Sequence, residues 1–151
     1  MGAVVLMMAE VGDITRLACP IVSRKIAMQK FDYYRSKDLL KLAQDQECLL
    51  QVPNFCEGGA STIVACHSNS GSNGKGKGIK ASDSDTVWGC AFCHRWLDQG
   101  PASKEEKEST YYQAYTRQVI EWLKIARSIS LKPWKVEAAR NVLNHLGIHH
   151  G

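Results

Sequence analysis

A chain of 151 residues, 44% hydrophobic and 23% charged, can close one modest core and is too short for two ordinary domains. That balance excludes a disordered chain, and no apolar run reaches the roughly 18 residues that a membrane helix needs. The net charge of +4 is mild, but seven basic residues (Arg16, Arg24, Lys25, Lys30, Arg35, Lys37, Lys41) face only Asp32 and Asp38 between Ile14 and Lys41. Such a segment suits either a polyanionic partner or a plain solvated basic face.

Residues 1–34 form an N-terminal extension of uncertain order, interrupted by Pro20, and Met28 is an alternative start. The apolar stretch Ala3–Ala9 lacks a basic flank and is short for a signal peptide, which points to a cytoplasmic protein. In a reducing compartment, closely spaced cysteines are more often metal ligands than disulfides.

Ser36 is placed to cap a short helix carrying Leu39, Leu40, Leu42 and Ala43 and ending near Glu47. Cys48 to Gly59 reads as a turn-rich knuckle in which Pro53-Asn54 folds the chain back. Thr62–Cys66 and Thr86–Trp88 are short β-type runs. Between them lies a loop, His67–Ser82, rich in Ser, Asn and Gly, with Lys75, Lys77 and Lys80 and no acid. A helix should open near Cys90 and stop at Gly100-Pro101. Ser103 and Glu106 form a capping box for the longest helix, with Tyr112, Tyr115, Val119, Trp122, Leu123 and Ala126 as its core face. Pro133 opens a last helix, Trp134, Ala138, Val142 and Leu146 facing inward and Gly147 ending it. His149 and His150 read as a mobile end rather than as ligands.

Cys48-x7-Cys56 and Cys90-x2-Cys93 are two pairs, each able to take two corners of one tetrahedral zinc ion. Four cysteines close such a site, so the ion would be structural and would contribute to folding. Two other readings compete: four buried thiols without metal, and haem attachment at Cys90-Ala-Phe-Cys93-His94, which requires export and leaves Cys48 and Cys56 unexplained. Cys19 lacks a nearby partner, and Cys66 suits a small buried side chain.

His94 and Asp98 are four residues apart on the helix after Cys90, so they share a face and can bind one divalent cation, Mg2+ or Mn2+. That cation would polarise a scissile phosphodiester, while His67 at the end of the first strand would deprotonate water as general base.

The pieces R-S-K-D-L-L-K (35–41), C-x7-C (48–56), A-C-H-S-N (65–69), G-K-G-K-G-I-K-A-S-D (74–83) and C-A-F-C-H-R-W-L-D-Q-G (90–100) carry a resemblance. They are similar to the phage and prophage YbcO-like nucleases of the HNH (His-Me finger) superfamily. The resemblance implies an α+β fold with a zinc-pinned ββα-metal core and flanking helices. It divides the chain into a nuclease domain at 35–100 and C-terminal helices at 101–151 that pack on it. It also implies roles: His67 as base, His94 as cation ligand, and Asp83 or Asp85 where the family carries an Asn that orients the base. Asn69, Lys75, Lys77 and Lys80 would contact nucleic acid. Cys66 stands where many relatives carry an acid, so Asp98 has to serve as the second cation ligand. The implied activity is DNA endonuclease in a phage-infected bacterial cytoplasm, with no organic cofactor and with phage or host recombination proteins as partners. Two other functions are a zinc-dependent DNA-binding or recombination-accessory module that does not cut, and a structural zinc protein whose basic face meets another protein.

Overall fold

The structure is a computed structural model that describes residues 33–69 and 81–151. Lys75, Lys77, Lys80, Cys19 and the basic residues before Tyr33 lie outside the described residues, as does nearly all of the 1–34 extension. Among the described residues the fold is mixed α+β: α1 (Lys37–Lys41), β1 (Val64–His67), β2 (Thr86–Gly89), α2 (Ala91–Gln99), α3 (Lys104–Ala126) and α4 (Pro133–His145). None of these helices is long and apolar enough to cross a membrane.

α1 begins where the Ser36 hydroxyl accepts the Leu39 amide, and it ends at Leu42, earlier than the apolar pattern suggests. The chain then turns through Asp45, which has a left-handed φ of 62° and cannot continue a helix. β1 and β2 pair antiparallel in the register Val64↔Gly89, Ala65↔Trp88, Cys66↔Val87 and His67↔Thr86. All four residues of β2 are buried. The Trp88 backbone is used beyond the ladder: its carbonyl accepts from Leu49 N at 2.8 Å, and its N–H donates to Gln118 Oε1 at 2.9 Å.

That second bond explains the orientation of α3. Its buried face is Tyr111, Ala114, Gln118, Trp122, Ile125 and Ala126. Tyr115, Val119 and Leu123 are only partly buried, and Tyr112 points outward. The expected face is therefore rotated toward Tyr111, because an inward glutamine is invisible to a pattern built from apolar residues. α4 packs chiefly through Ala138, Ala139, Val142 and Leu143, with Trp134 and Leu146 at its edge. It ends in a Schellman turn: Ile148 N donates to Leu143 O and Gly147 N to Asn144 O, with Gly147 at φ 69°. His150 is tied back to Asn144, Nε2 to Oδ1 at 2.9 Å, rather than loose.

Candidate functional site

The chain folds back between Cys48 and Cys56 by local backbone means. Gln51 and Asn54 adopt left-handed conformations (φ 45° and 64°), and the Val52 carbonyl accepts the amides of Phe55 and Cys56. Asn tolerates that region better than most residues because its short polar side chain compensates locally. Cys90 stands at the N-terminus of α2 directly after β2, and Cys93 lies one turn on. The four sulfurs, Cys48, Cys56, Cys90 and Cys93, come together within 4.8 Å of one another. A tetrahedral ion with metal–sulfur distances of about 2.3 Å needs sulfur–sulfur edges of about 3.8 Å, so small side-chain adjustments suffice.

The electrostatics of the cluster fit a cation. Burial pushes the Cys48 and Cys93 thiols above the ordinary range. At Cys90 burial acts the same way, but hydrogen bonds from the Cys93 and Glu57 amides and the Cys93 and Cys48 thiols outweigh it, and the thiol falls to about 7. The Cys90 amide in turn donates to Cys48 Sγ at 3.2 Å. Four adjoining thiolates would repel one another strongly, and a soft divalent ion is what lets them ionise together. The cluster can therefore hold a metal ion. Haem attachment would use only Cys90 and Cys93, whereas all four thiols converge.

Cys66 belongs to none of this. It is fully buried, and its pKa is raised by burial. Lying in the core beneath Gly89, it offers no ligand to the surface.

A second constellation lies at the far end of the ribbon. His67 Nε2 is 3.0 Å from Asp83 Oδ1, and Asp83 is buried. A carboxylate only accepts, so Nε2 carries the proton and Nδ1 is the basic nitrogen. Asp83 is itself held: Ser36 N donates to Oδ2 at 2.9 Å and Arg35 Nη1 to Oδ1 at 3.3 Å, while the Asp83 amide donates to Tyr34 O. Of the two acids, Asp83 meets the imidazole and Asp85 turns to α3, where Tyr111 Oη donates to its carbonyl at 2.8 Å. Tyr115 Oη donates to the neighbouring Ser84 carbonyl at 2.9 Å. On α2, His94 Nε2 and Asp98 Oδ2 are 3.3 Å apart and both side chains are partly exposed. Asn69 Nδ2 donates to Asp98 Oδ1 at 2.7 Å, joining the segment after β1 to α2.

Several residues that complete this site escape a motif reading. Arg35 enters the sequence reading as a basic residue and as the first of the R-S-K-D-L-L-K piece without a role of its own, Tyr115 enters only as a core aromatic, and Tyr111 does not enter at all. The signal available was the conjunction of Arg35 with the cap residue Ser36, since a capped helix start fixes the direction of the residue before it. Beside Asp98 and Asn69 opens a groove of about 620 Å³, walled by Ala102, Lys104, Lys107 and Tyr112.

These features define a small α+β protein with a metal-capable four-cysteine cluster and a buried acid bonded to a strand-end histidine. Comparison with known families places residues 37–127, more than half of the chain, in the family described as "Putative nuclease YbcO". The chain belongs to that family. No match was found among the curated proteins or the solved structures.

Proposed function

We propose that the chain is a DNA endonuclease of the HNH (His-Me finger) type that needs Mg2+ or Mn2+, with zinc as the structural ion of the four-cysteine cluster. What carries the reading is the His67–Asp83 bond of 3.0 Å inside a member of a nuclease family. The ribbon β1–β2 followed by α2 supplies the ββα arrangement expected of that superfamily.

In this reading His67 Nδ1 takes a proton from the attacking water as its oxygen bonds to phosphorus and the opposite phosphorus–oxygen bond breaks. Asp83 fixes the imidazole tautomer and stabilises the imidazolium that forms, and Arg35 and Ser36 keep Asp83 in place. His94 and Asp98 would hold the divalent cation, whose chemistry when bound is to polarise the phosphodiester and neutralise the leaving oxygen. A pair of protein ligands suits such an ion, which keeps several waters and gains phosphate oxygens from its substrate. Asn69 is committed to Asp98 and so positions the cation pair; Lys75, Lys77 and Lys80 would supply sequence-independent phosphate contacts.

Nicking of supercoiled plasmid tests the proposal. Wild type should cut only with Mg2+ or Mn2+, and His67→Ala should lose at least about 100-fold while its melting and metal content stay unchanged. Equal rates in both proteins would expose a contaminant. Binding without cutting would favour the accessory DNA-binding module.

A further inference from the structure

The groove beside Asp98 shares Asp98 and Asn69 with the hydrolytic step above, but the rest of its lining takes no part in that step. Its walls come from three elements: Asn69 after β1, Asp98 on α2, and Lys104, Lys107 and Tyr112 on the first turns of α3. At about 620 Å³ it has the size of a small-ligand site. Tyr112 is the notable wall. It is 49% exposed on a helix whose neighbouring Tyr111 is buried, and the two rings meet edge to face at 6.3 Å. Tyr111 is anchored in turn by its bond to Asp85 O, so Tyr112 rests on a fixed support. A half-exposed aromatic ring in a groove that Lys104 and Lys107 also line is a combination that takes a base and its phosphate.

We infer that this groove seats one unpaired nucleotide of the substrate strand next to the His94–Asp98 pair, its base on Tyr112 and a phosphate on Lys107. The inference rests on the nuclease reading and narrows its substrate to DNA with a single-stranded or displaced base near the cut. A paired base cannot enter a concavity of this kind, because its flat faces are covered by neighbours in the stack. Glu108 also lines the groove and pairs with Lys104 at 3.8 Å on the same helix, so among the described lining residues Lys107 is the cation assigned to phosphate.

The test is binding of two labelled DNAs, a blunt duplex and the same duplex with a short overhang, to the full chain in Ca2+ so that cutting does not intervene. Wild type should prefer the overhang. Tyr112→Ala should weaken overhang binding by about 10-fold, Tyr112→Phe should preserve it, and blunt-duplex binding should change in neither. Lys107→Gln should lower the salt slope of overhang binding by about one. Equal affinity of wild type for both DNAs, or equal loss on both in Tyr112→Ala, overturns the inference. Plasmid nicking separates the two claims. Cutting with Tyr112-independent overhang binding sinks the groove alone, and Tyr112-dependent binding without cutting sinks the nuclease reading while the groove stands.

Discussion

Gly89 is where the ribbon, the core and the cysteine cluster meet, and replacing it with alanine should disturb all three. A Cβ there would lie 2.5 Å from Leu50 Cδ1 and 2.8 Å from Cys66 Sγ. Carbon atoms rest at about 3.5–4.0 Å, so the Leu50 overlap is on the order of 1 Å. Neither neighbour can swing into solvent, because Leu50 and Cys66 are both buried. Overpacking of this kind costs about 1–3 kcal/mol, offset by roughly 0.5–1 kcal/mol for replacing a strand glycine, which leaves about 0.5–2 kcal/mol net. At about 4 °C per kcal/mol for a chain of this size, the melting midpoint should fall by about 2–8 °C. The strain also reaches Cys90, the next residue, so metal affinity should drop with it. The assay is thermal melting with the divalent ion in excess, together with metal content after dialysis. A double variant supplies the control: Leu50→Ala removes the closest clash, so Gly89→Ala in that background should cost less than it does alone. An unchanged midpoint, or strict additivity of the two substitutions, would show that Gly89 is not packed as described.

Three further outcomes are expected. Cys93→Ala should leave the cluster unable to retain its ion and should cost several kcal/mol, and a strong chelator should melt wild type in the same way; folded, metal-free protein by mass spectrometry and circular dichroism would contradict both. Asp83→Asn should reduce nicking by at least about 10-fold with the melting midpoint only slightly lowered, since an amide oxygen can still accept from Ser36 N; full activity would remove Asp83 from the site. Burial raises Tyr115 from 10.0 to about 12 and also raises Tyr111. A folded pKa above the unfolded one leaves stability intact below about pH 10 and erodes it above that, by about 1.4 kcal/mol per pH unit for each tyrosine until its folded pKa is passed. Urea melts between pH 9 and 12 should show that decline, and Tyr115→Phe should flatten it; an identical slope in the variant would refute the assignment.

The elements whose boundaries rest on local chemistry could be read from the sequence. Ser36 and Ser103 cap α1 and α3 as their side chains require, Pro133 opens α4, and Gly147 closes it through a positive φ. The cysteine pairs were legible because the knuckle is local at each end. What escaped was set by partners distant in the chain. Gln118 faces inward where it accepts the Trp88 N–H, 30 positions away, on a side of β2 that no other strand among the described residues covers. The resemblance offers Asp83 first and Asp85 as its alternative, and their different surroundings come from tertiary contacts: Arg35 and Ser36 hold the one that meets His67, and Tyr111 engages the other. The end of α1 was overrun because Leu42 and Ala43 are apolar for core contact, whether or not the helix continues to them.

α3 is what makes these separately encoded segments one site. Arg117 grips the cysteine loop, its Nε and Nη2 donating to Leu49 O at 3.1 and 2.7 Å. One residue on, Gln118 holds β2. Tyr111 and Tyr115, two turns and one turn earlier, hold the carbonyls of Asp85 and Ser84 and thereby the turn that carries Asp83. The Gln118 bond satisfies a buried strand N–H, and leaving such a group unpaired costs about 1–3 kcal/mol, whereas Tyr111 adds a second donor to a carbonyl that Ser68 N already meets. A metal ion alone can draw Cys48 and Cys56 to Cys90 and Cys93, but it exerts no direct hold on Asp83, which lies at the opposite end of the ribbon. The His67–Asp83 pair is therefore held directly by Arg35 and Ser36 and indirectly by a helix that contributes no residue to it. The same helix presents Lys107 and Tyr112 to the groove beside Asp98, so the element that holds the turn before Asp83 also walls that groove.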